Sequence, residues 1–326
     1  LGYTSIHATG QSTGLPRGRA GITEQHKKLN LRALLVKISN GSKRYCIKKS
    51  NDPFDKALLA KRILKDTMPF IAKRKIKSFN YDIKNFNRSI GANISGKIAK
   101  LYGNYGLSKT PITINLSGTA GQSLGAWNAA GLNIMLTGDS NDYVGKGMAG
   151  GKITLKTSDA LKNVAKDMII MGNTCLYGAT GGKLFAEGIA GERFAVRNSG
   201  CVAVIEGSGD HTCEYMTGGS IVVLGQTGNN FGAGMTGGLA FVYDENKLFK
   251  NKINNQSVEI KNLGDKIFKN HQNYLLKLLK EHYRETNSLK AKSVLDNFDE
   301  SLNKFIIVKP KNSNFINLLN ILIKAA

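Results

Sequence analysis

One glycine-rich loop of this chain has the spacing that binds dinucleotides. Gly145-Lys-Gly147-Met-Ala-Gly150 matches G-x-G-x-x-G, with which a Rossmann fold holds a pyrophosphate. Such a site requires the loop to open a helix, whereas here it precedes KITLKT, an alternating run typical of a strand. The pattern returns at Gly232-Ala-Gly234-Met-Thr-Gly237. A pattern that recurs with a structural period indicates a chain corner, so we expect no nucleotide site in either loop.

Other loop residues could carry acid–base or metal chemistry. Asp210-His211 could transfer protons, and Asp139, Asn141 and Asp142 supply the oxygen ligands that calcium prefers. The structural alternatives are a corner histidine bonded to a neighbouring coil, and Asn and Asp side chains that stabilise turns. We favour the structural alternatives, and we expect no catalytic, cofactor-binding or metal-ligating residue in this chain.

The cysteines argue against an iron–sulfur or zinc centre. Cys46, Cys175, Cys201 and Cys213 include no C-x-x-C pair, and none stands beside a plausible base. We interpret them as buried thiols in a reducing compartment, and the predicted location is the cytoplasm.

The net charge of +23 is confined to the flanks of the chain. Residues 103–249 hold 10 Lys+Arg and 11 Asp+Glu, while scattered lysines dominate residues 27–100 and 250–324. Without an Arg-rich or aromatic-interleaved stripe, this favours a solvated lysine surface over nucleic-acid binding, and docking onto an acidic partner domain is a third possibility. No apolar run reaches the length of a membrane span, so no membrane partner is expected.

Glycine and charge divide the chain into four segments. Residues 1–28 are an unassigned tail, and the start, which has neither an initiator Met nor a signal peptide, suggests a fragment or a processed product. Residues 29–102 form a mixed lead-in from a preceding domain, with helical spacing over 55–67, an alternating strand over 77–85 and a helix over 95–103. Residues 103–249 hold 28 of the 37 glycines, and residues 250–326 return to helical spacing.

The lead-in helix and the final segment carry more detailed expectations. Ser95 is the predicted N-cap and Gly103 the closing residue of the helix over 95–103. Helices are then predicted across 267–282, 291–305 and 315–326, with a strand at FIIVKP.

The glycine-rich segment contains an internal repeat. Short strands end at a small or polar residue every 15 to 20 residues: ITINLSG, LNIMLTG, KITLKT, DMIIMG, KLFAEG, CVAVIEG, SIVVLG and LAFVYD. Two and four residues before each end point the side chain is always apolar, which predicts one buried stripe per repeat. The unit is too short for a strand plus a crossover helix.

This pattern predicts a mainly β fold, a right-handed parallel β-helix of roughly seven turns with flanking α-helices. An antiparallel sandwich would explain the alternation but not the near-constant period. Tight corners need glycines of positive φ. The predicted structural corners are Gly118, Gly138, Gly151, Gly182, Gly200, Gly219 and Gly238.

Three long phrases resemble the C-terminal GXGXG domain of the glutamate synthase large (alpha) subunit. They are AGQSLGAWNAAGLNIMLTGDSNDYVGKGMAGGKI (120–153), GNTCLYGATGGKLFAEGIAGERFAVRNSG (172–200) and GDHTCEYMTGGSIVVLGQTGNNFGAGMTGG (209–238). NRSIGANISGKIAKLYGNYGL before them and HYRETNS after them also fit this family. A subunit of formylmethanofuran dehydrogenase shares the glycine-rich β-helix and is the alternative, and a free-standing interaction module is a third.

The resemblance implies a scaffold role in a larger enzyme. In that family an amidotransferase domain hydrolyses glutamine, and ammonia passes through a tunnel to a flavin barrel with FMN and a 3Fe–4S cluster. There 2-oxoglutarate is aminated and reduced to glutamate, with electrons from an NADPH-dependent small subunit or from ferredoxin. We expect none of these centres in this chain. Nine residues are kept as a predicted interface or tunnel lining: Asn141, Asp142, Tyr143, Glu192, Arg193, Arg197, Asp210, His211 and Glu214.

Overall fold

A computed structural model describes residues 57–325. The tail over 1–28, the first part of the lead-in and Cys46 lie outside the described residues. The four segment boundaries therefore remain a prediction.

The main sheet is a stack of parallel strands that forms a β-solenoid of about seven turns, as predicted. Its order is β1-β2-β3-β4-β6-β8-β10-β11, followed by the antiparallel strands β13 and β12. The strands are β1 Lys77–Ile83, β2 Ile112–Gly118, β3 Leu132–Thr137, β4 Ala149–Lys156, β6 Gly181–Ala186, β8 Ser199–Ile205, β10 Thr217–Val223, β11 Gly237–Tyr243, β12 Val258–Asn262 and β13 Phe305–Pro310.

The predicted apolar stripe forms the core of the solenoid. Strand registers bring its residues into one line: Ile114, Ile134, Ile153, Leu184, Ala203, Ile221 and Ala240. All of them are buried, as are the partners two residues further along each of these strands. Because two inward side chains per coil cannot bury each other alone, the stacking of coils creates this core.

One of the eight predicted repeat strands takes a different place. DMIIMG forms β5 (Ile169–Met171), which belongs to a second, three-stranded parallel sheet with β7 (Ile189–Ala190) and β9 (Gly207–Ser208). Strand β4 pairs directly with β6, and a 3-10 helix (Asp159–Asp167) occupies the longer connection. The similar spacing of the predicted strands in the sequence therefore hid an insertion between β4 and β6. Met168, which was predicted to belong to the buried stripe, is only half-buried.

The N-terminal end of the solenoid is covered by two helices. Helix α1 (Leu58–Ala72) and helix α2 (Ala92–Tyr102) contribute Ile71 and Ile98 to the main core cluster. Helix α2 begins earlier than predicted, with Gly91 at its N-cap. Ser95 is not the N-cap, because it lies within the helix, where its Oγ accepts a hydrogen bond from the Ala129 N–H at 3.1 Å.

The C-terminal helices cover the outer face of the later coils. They are α3 (Lys269–Thr286), α4 (Leu289–Asp296), α5 (Phe298–Leu302) and α6 (Phe315–Ala325). Strand residues that point away from the solenoid interior are fully buried beneath them, including Phe185, Val204, Val222 and Phe241. None of the helices between residues 57 and 325 has the length and apolar content needed to cross a membrane.

Candidate functional site: the corner face

In the six corners that precede β3, β4, β6, β8, β10 and β11, residues of positive φ alternate with residues of ordinary φ. Three residues per corner, two positions apart, have positive φ. They form three ladders along the solenoid: Ser123, Tyr143, Thr174, Arg193, His211 and Asn230; Gly125, Gly145, Leu176, Ala195, Cys213 and Gly232; and Trp127, Gly147, Gly178, Arg197, Tyr215 and Gly234. Many are not glycines, although an L side chain is strained in this conformation by about 1–2 kcal/mol.

Hydrogen bonds between coils hold this strained backbone in place. The N–H of Tyr143 donates to Asn173 O at 2.9 Å, and that of Arg193 donates to Asp210 O at 2.8 Å. In the middle ladder the N–H groups donate to the preceding coil and not to the following one. Ala195 N–H, for example, donates to Cys175 O at 2.9 Å. The inner corners are therefore hydrogen-bonded to the coils on both sides, and these bonds hold the strained conformation in place.

The nine residues predicted as an interface or tunnel lining all lie on these corners, and none is buried. We call this surface the corner face. It comprises those nine residues together with Trp127, Lys146, Tyr177 and Tyr215. The structure thus brings together residues that are up to 88 positions apart in the sequence numbering, from Trp127 to Tyr215.

The carboxylate and amide side chains of the corner face bond to the backbone of the next coil. Asp142 Oδ1 accepts from Asn173 N–H at 2.8 Å, Asn173 Oδ1 from Glu192 N–H at 2.8 Å, and Asp210 Oδ1 from Asn229 N–H at 2.6 Å. These bonds support the turn-stabilising interpretation over calcium binding. Across residues 57–325 there is no group of three or more His, Cys, Asp and Glu side chains that could hold a metal ion.

His211 bonds to a neighbouring coil, as the structural alternative requires. Its Nδ1 lies 3.1 Å from Asn230 Nδ2 and accepts the amide hydrogen. Asn230 Oδ1 in turn accepts from Asn254 Nδ2 at 2.8 Å. His211 is therefore engaged in a chain of amides and does not pair with Asp210, whose carboxylate is bonded elsewhere.

The basic side chains of the corner face have different environments. The Arg193 Nε donates to Glu214 Oε2 at 2.8 Å in the adjacent coil. Lys146 Nζ lies over the rings of Tyr143 and Tyr177, at 5.2 and 5.9 Å from their centroids. Arg197 is exposed and is directed to solvent.

Two large aromatic side chains on the corner face were missed by sequence reasoning. Trp127 is 61% and Tyr215 51% exposed. Trp127 packs over Gly147 and Tyr215 packs over Gly234, so closely that a Cβ on either glycine would collide with the ring. The signal was present, because both residues occupy the same repeat position as Arg197. Trp, Tyr and Arg are the side chains that most often dominate binding at protein interfaces.

The seven glycines predicted as structural corners divide into two groups by their backbone conformation. Gly151, Gly182, Gly219 and Gly238 have positive φ, from +69° to +86°, as do Gly118 and Gly138. Gly200 does not have positive φ; instead, a Cβ there would collide with the Thr180 carbonyl group of the preceding coil. In the other corners of this kind, two glycines stand side by side at the start of the strand. Gly200 is aligned with the first of the two, whereas the prediction aligned it with the second. Both G-x-G-x-x-G loops lead into strands, β4 and β11, as predicted.

Buried carboxylates, which the sequence analysis did not single out, attach the C-terminal helices to the solenoid. Glu187 and Glu206 end successive strands of the repeat and are almost fully buried. Glu187 accepts from Lys162 Nζ at 2.8 Å, and Lys162 also donates to the backbone oxygen of Thr286 at 2.7 Å. Glu206 accepts from the Ser288 hydroxyl. The phrase HYRETNS therefore docks onto two equivalent coil ends.

The three described cysteines are inert side chains of the core. Burial raises the pKa of the Cys175 thiol to about 12, and burial also raises the pKa of Cys201 and of Cys213. A thiolate is the reactive form, so none of the three is a nucleophile at neutral pH.

Comparison with known proteins identifies the family. The GXGXG motif model matches residues 57–311. This chain belongs to the GXGXG family. It is 45% identical over 263 residues to the glutamate synthase [NADPH] large chain of Bacillus subtilis, a match that covers 80% of this chain and 17% of that protein.

Two further relatives have related names. The ferredoxin-dependent glutamate synthase of Pyropia yezoensis is 50% identical over 236 residues, covering 72% of this chain and 15% of that protein. The ferredoxin-dependent glutamate synthase 1 of Arabidopsis thaliana is 40% identical over 313 residues, covering 94% and 19%. The chain thus spans less than a fifth of the length of these relatives, and the expected resemblance to glutamate synthase is confirmed.

Proposed function

We propose that this chain is the scaffold domain of a glutamate synthase, which converts glutamine, 2-oxoglutarate and a reductant into two molecules of glutamate. The observation that carries the proposal is the 45% identity to a glutamate synthase large chain over 263 residues, which is 80% of this chain. The named relatives favour this function over a subunit of formylmethanofuran dehydrogenase or a free-standing module.

In this proposal the chemistry belongs to other domains. The amidotransferase domain hydrolyses glutamine, and a separate domain with FMN and a 3Fe–4S cluster forms glutamate, in the cytoplasm. An NADPH-dependent subunit or ferredoxin supplies electrons. This chain holds the two catalytic domains in register for ammonia transfer, and it contributes no catalytic group of its own.

The corner face is the proposed contact with those domains. It combines exposed Trp127 and Tyr215 with Arg197 on a backbone that is hydrogen-bonded on both sides. Trp and Tyr side chains lose little conformational entropy on binding because they have only two χ angles, and Trp, Tyr and Arg are the side chains that most often dominate binding at interfaces. A surface of this kind suits the fixed positioning that ammonia transfer requires.

The test compares two charge reversals in the complete synthase. Arg197→Glu alters the corner face, whereas Lys250→Glu is a matched control at an exposed site elsewhere. We expect Arg197→Glu, alone or with Trp127→Ala, to lower severalfold the fraction of hydrolysed glutamine whose ammonia enters glutamate, and Lys250→Glu to leave it unchanged. Unchanged coupling in the folded Arg197→Glu and Trp127→Ala double variant would refute the contact.

The isolated chain gives a second test. We expect it to show no flavin absorbance, no hydrolysis of glutamine and no reduction of 2-oxoglutarate with any donor. Bound FMN or glutaminase activity in this chain alone would contradict the scaffold role.

A further inference from the structure

The exposed side chains of helix α3 are all basic or amide. Its inner face is apolar and packs on the solenoid through Leu275, Leu278 and Leu279. The exposed residues of the helix are Lys269, Asn270, Asn273, Lys277, Lys280 and Arg284. None of these exposed residues is acidic, and the acid placed three or four residues from bases of the helix, Glu281, is only partly exposed and lies 3.8 Å from Arg284.

The acids of α3 are turned inward. Glu281 pairs with Lys183 of β6 at 2.8 Å, and Glu285 pairs with Lys152 of β4 at 2.6 Å. Both carboxylates are largely buried, and Arg284 also lies 3.2 Å from Glu285. These ion pairs of Glu281 and Glu285 thus attach α3 to the solenoid.

Two lysines in the middle of the face are left without an acidic partner. Among residues 57–325, no carboxylate lies within ion-pair distance of Lys277 or Lys280. They stand three residues apart, and Lys280 and Arg284 stand four apart, so like charges repel along this face. Lys277 and Lys280 also border a shallow cleft that contains Leu276, Arg284 and the ion pair of Lys183 with Glu281.

We propose that this basic face of α3 docks a protein surface rich in Asp and Glu. Carboxylates of the partner would pair with Lys277 and Lys280, relieving their mutual repulsion, while an apolar partner side chain contacts Leu276 in the cleft. A single-stranded nucleic acid fits the face less well, because none of the exposed residues of α3 is aromatic and could stack on a base. A membrane surface fits less well too, because the exposed positions of α3 include no large apolar side chain that would enter the lipid.

The first experiment uses the full chain and three anionic probes: poly-L-glutamate, a 20-base-pair DNA duplex and phosphatidylserine-containing vesicles. The double variant Lys277→Glu/Lys280→Glu is compared with Lys250→Glu/Lys311→Glu, which changes the net charge equally at exposed sites elsewhere. We expect poly-L-glutamate binding at ~0.15 M salt to weaken at least tenfold in the α3 variant and less than twofold in the control. Circular dichroism verifies that both variants fold.

Two results of this experiment would overturn the proposal. Equal weakening in both variants would show that only the overall field of the chain attracts the probe. Tighter binding of the DNA or the vesicles than of poly-L-glutamate, lost in the α3 variant, would assign the face to one of those partners.

The second experiment applies a zero-length carbodiimide cross-linker, which joins a lysine to a carboxylate in direct contact, to a complete glutamate synthase. We expect Lys277 or Lys280 to be joined to an Asp or Glu outside this domain. Cross-links confined to Glu281 would overturn the docking. Only this second experiment rests on the proposed function, so failure of the scaffold role and failure of the basic face are distinguishable.

Discussion

Three Gly→Ala substitutions separate the two constraints that the solenoid imposes on its glycines. Gly96 lies exposed inside α2, where a Cβ added to it would have nothing within 4 Å and the φ is ordinary. Gly178 has equally free space but a φ of +62°. Gly151 has a φ of +69°, and its Cβ would lie 2.6 Å from Ala129 O and would also collide with Leu132 O.

The expected changes in the free energy of unfolding follow from these environments. Gly96→Ala should stabilise the chain by about 0.5–1 kcal/mol, because alanine loses less backbone entropy in a helix. Gly178→Ala should cost about 1 kcal/mol through the positive φ alone. Gly151→Ala should cost about 3–5 kcal/mol, since the same strain adds to a backbone collision that must move a neighbouring coil.

Urea unfolding followed by Trp127 fluorescence and by far-ultraviolet circular dichroism measures these differences. Trp127 is the single tryptophan of the chain, and it lies on the corners that must open. With a urea dependence of about 1–3 kcal/mol per molar, 1 kcal/mol shifts the midpoint by roughly 0.3–1 M. Equal costs for Gly178→Ala and Gly151→Ala would refute the role of close contact. Stabilisation by Gly178→Ala would refute the role of φ.

Three further predictions concern the core, the thiols and the surface charge. Ile221→Asp should abolish folding, as measured by circular dichroism, because Ile221 is 0% exposed and an unpaired buried carboxylate costs several kcal/mol. The control Ile221→Val should cost only about 1 kcal/mol. A folded Ile221→Asp chain would disprove the buried stripe. Unfolded thiols ionise above about pH 8.5 while folded Cys175 keeps its proton up to about pH 12, so urea midpoints should decline over that range, and native thiols should resist alkylation. DNA binding should be weak, independent of base sequence and lost with added salt; a sequence-specific complex at physiological salt would contradict this.

The solenoid could be predicted from sequence because its core depends on one simple rule. Each strand buries residues two and four places before its end, and residues such as Ile134 and Ile221 obey this rule wherever they lie along the stack. The period was misleading only at DMIIMG, because an insertion of 3-10 helix happened to place an apolar strand at the expected spacing. Alternation within a strand cannot tell which sheet the strand will join.

The corner conformation could not be predicted, because its signal is not in the residue types. Leu176, Cys213 and Tyr215 have positive φ although such residues disfavour it. Hydrogen bonds to the neighbouring coils hold the conformation, and the partners of these three N–H groups are 18 to 32 residues away in the sequence. The nine residues predicted as an interface or tunnel lining nevertheless all lie on the corners, and none of them is buried.

The stacking of coils also sets the length of the solenoid. Eight parallel strands from β1 to β11, about 4.8 Å apart, give a rigid length of roughly 34 Å between the first and the last. Because neighbouring coils are bonded to each other through their strands and corners, the addition or removal of one coil changes this length by a step of about 4.8 Å. The distance between two partners that bind at opposite ends of the solenoid would therefore change in steps of one coil, and not gradually through point mutations.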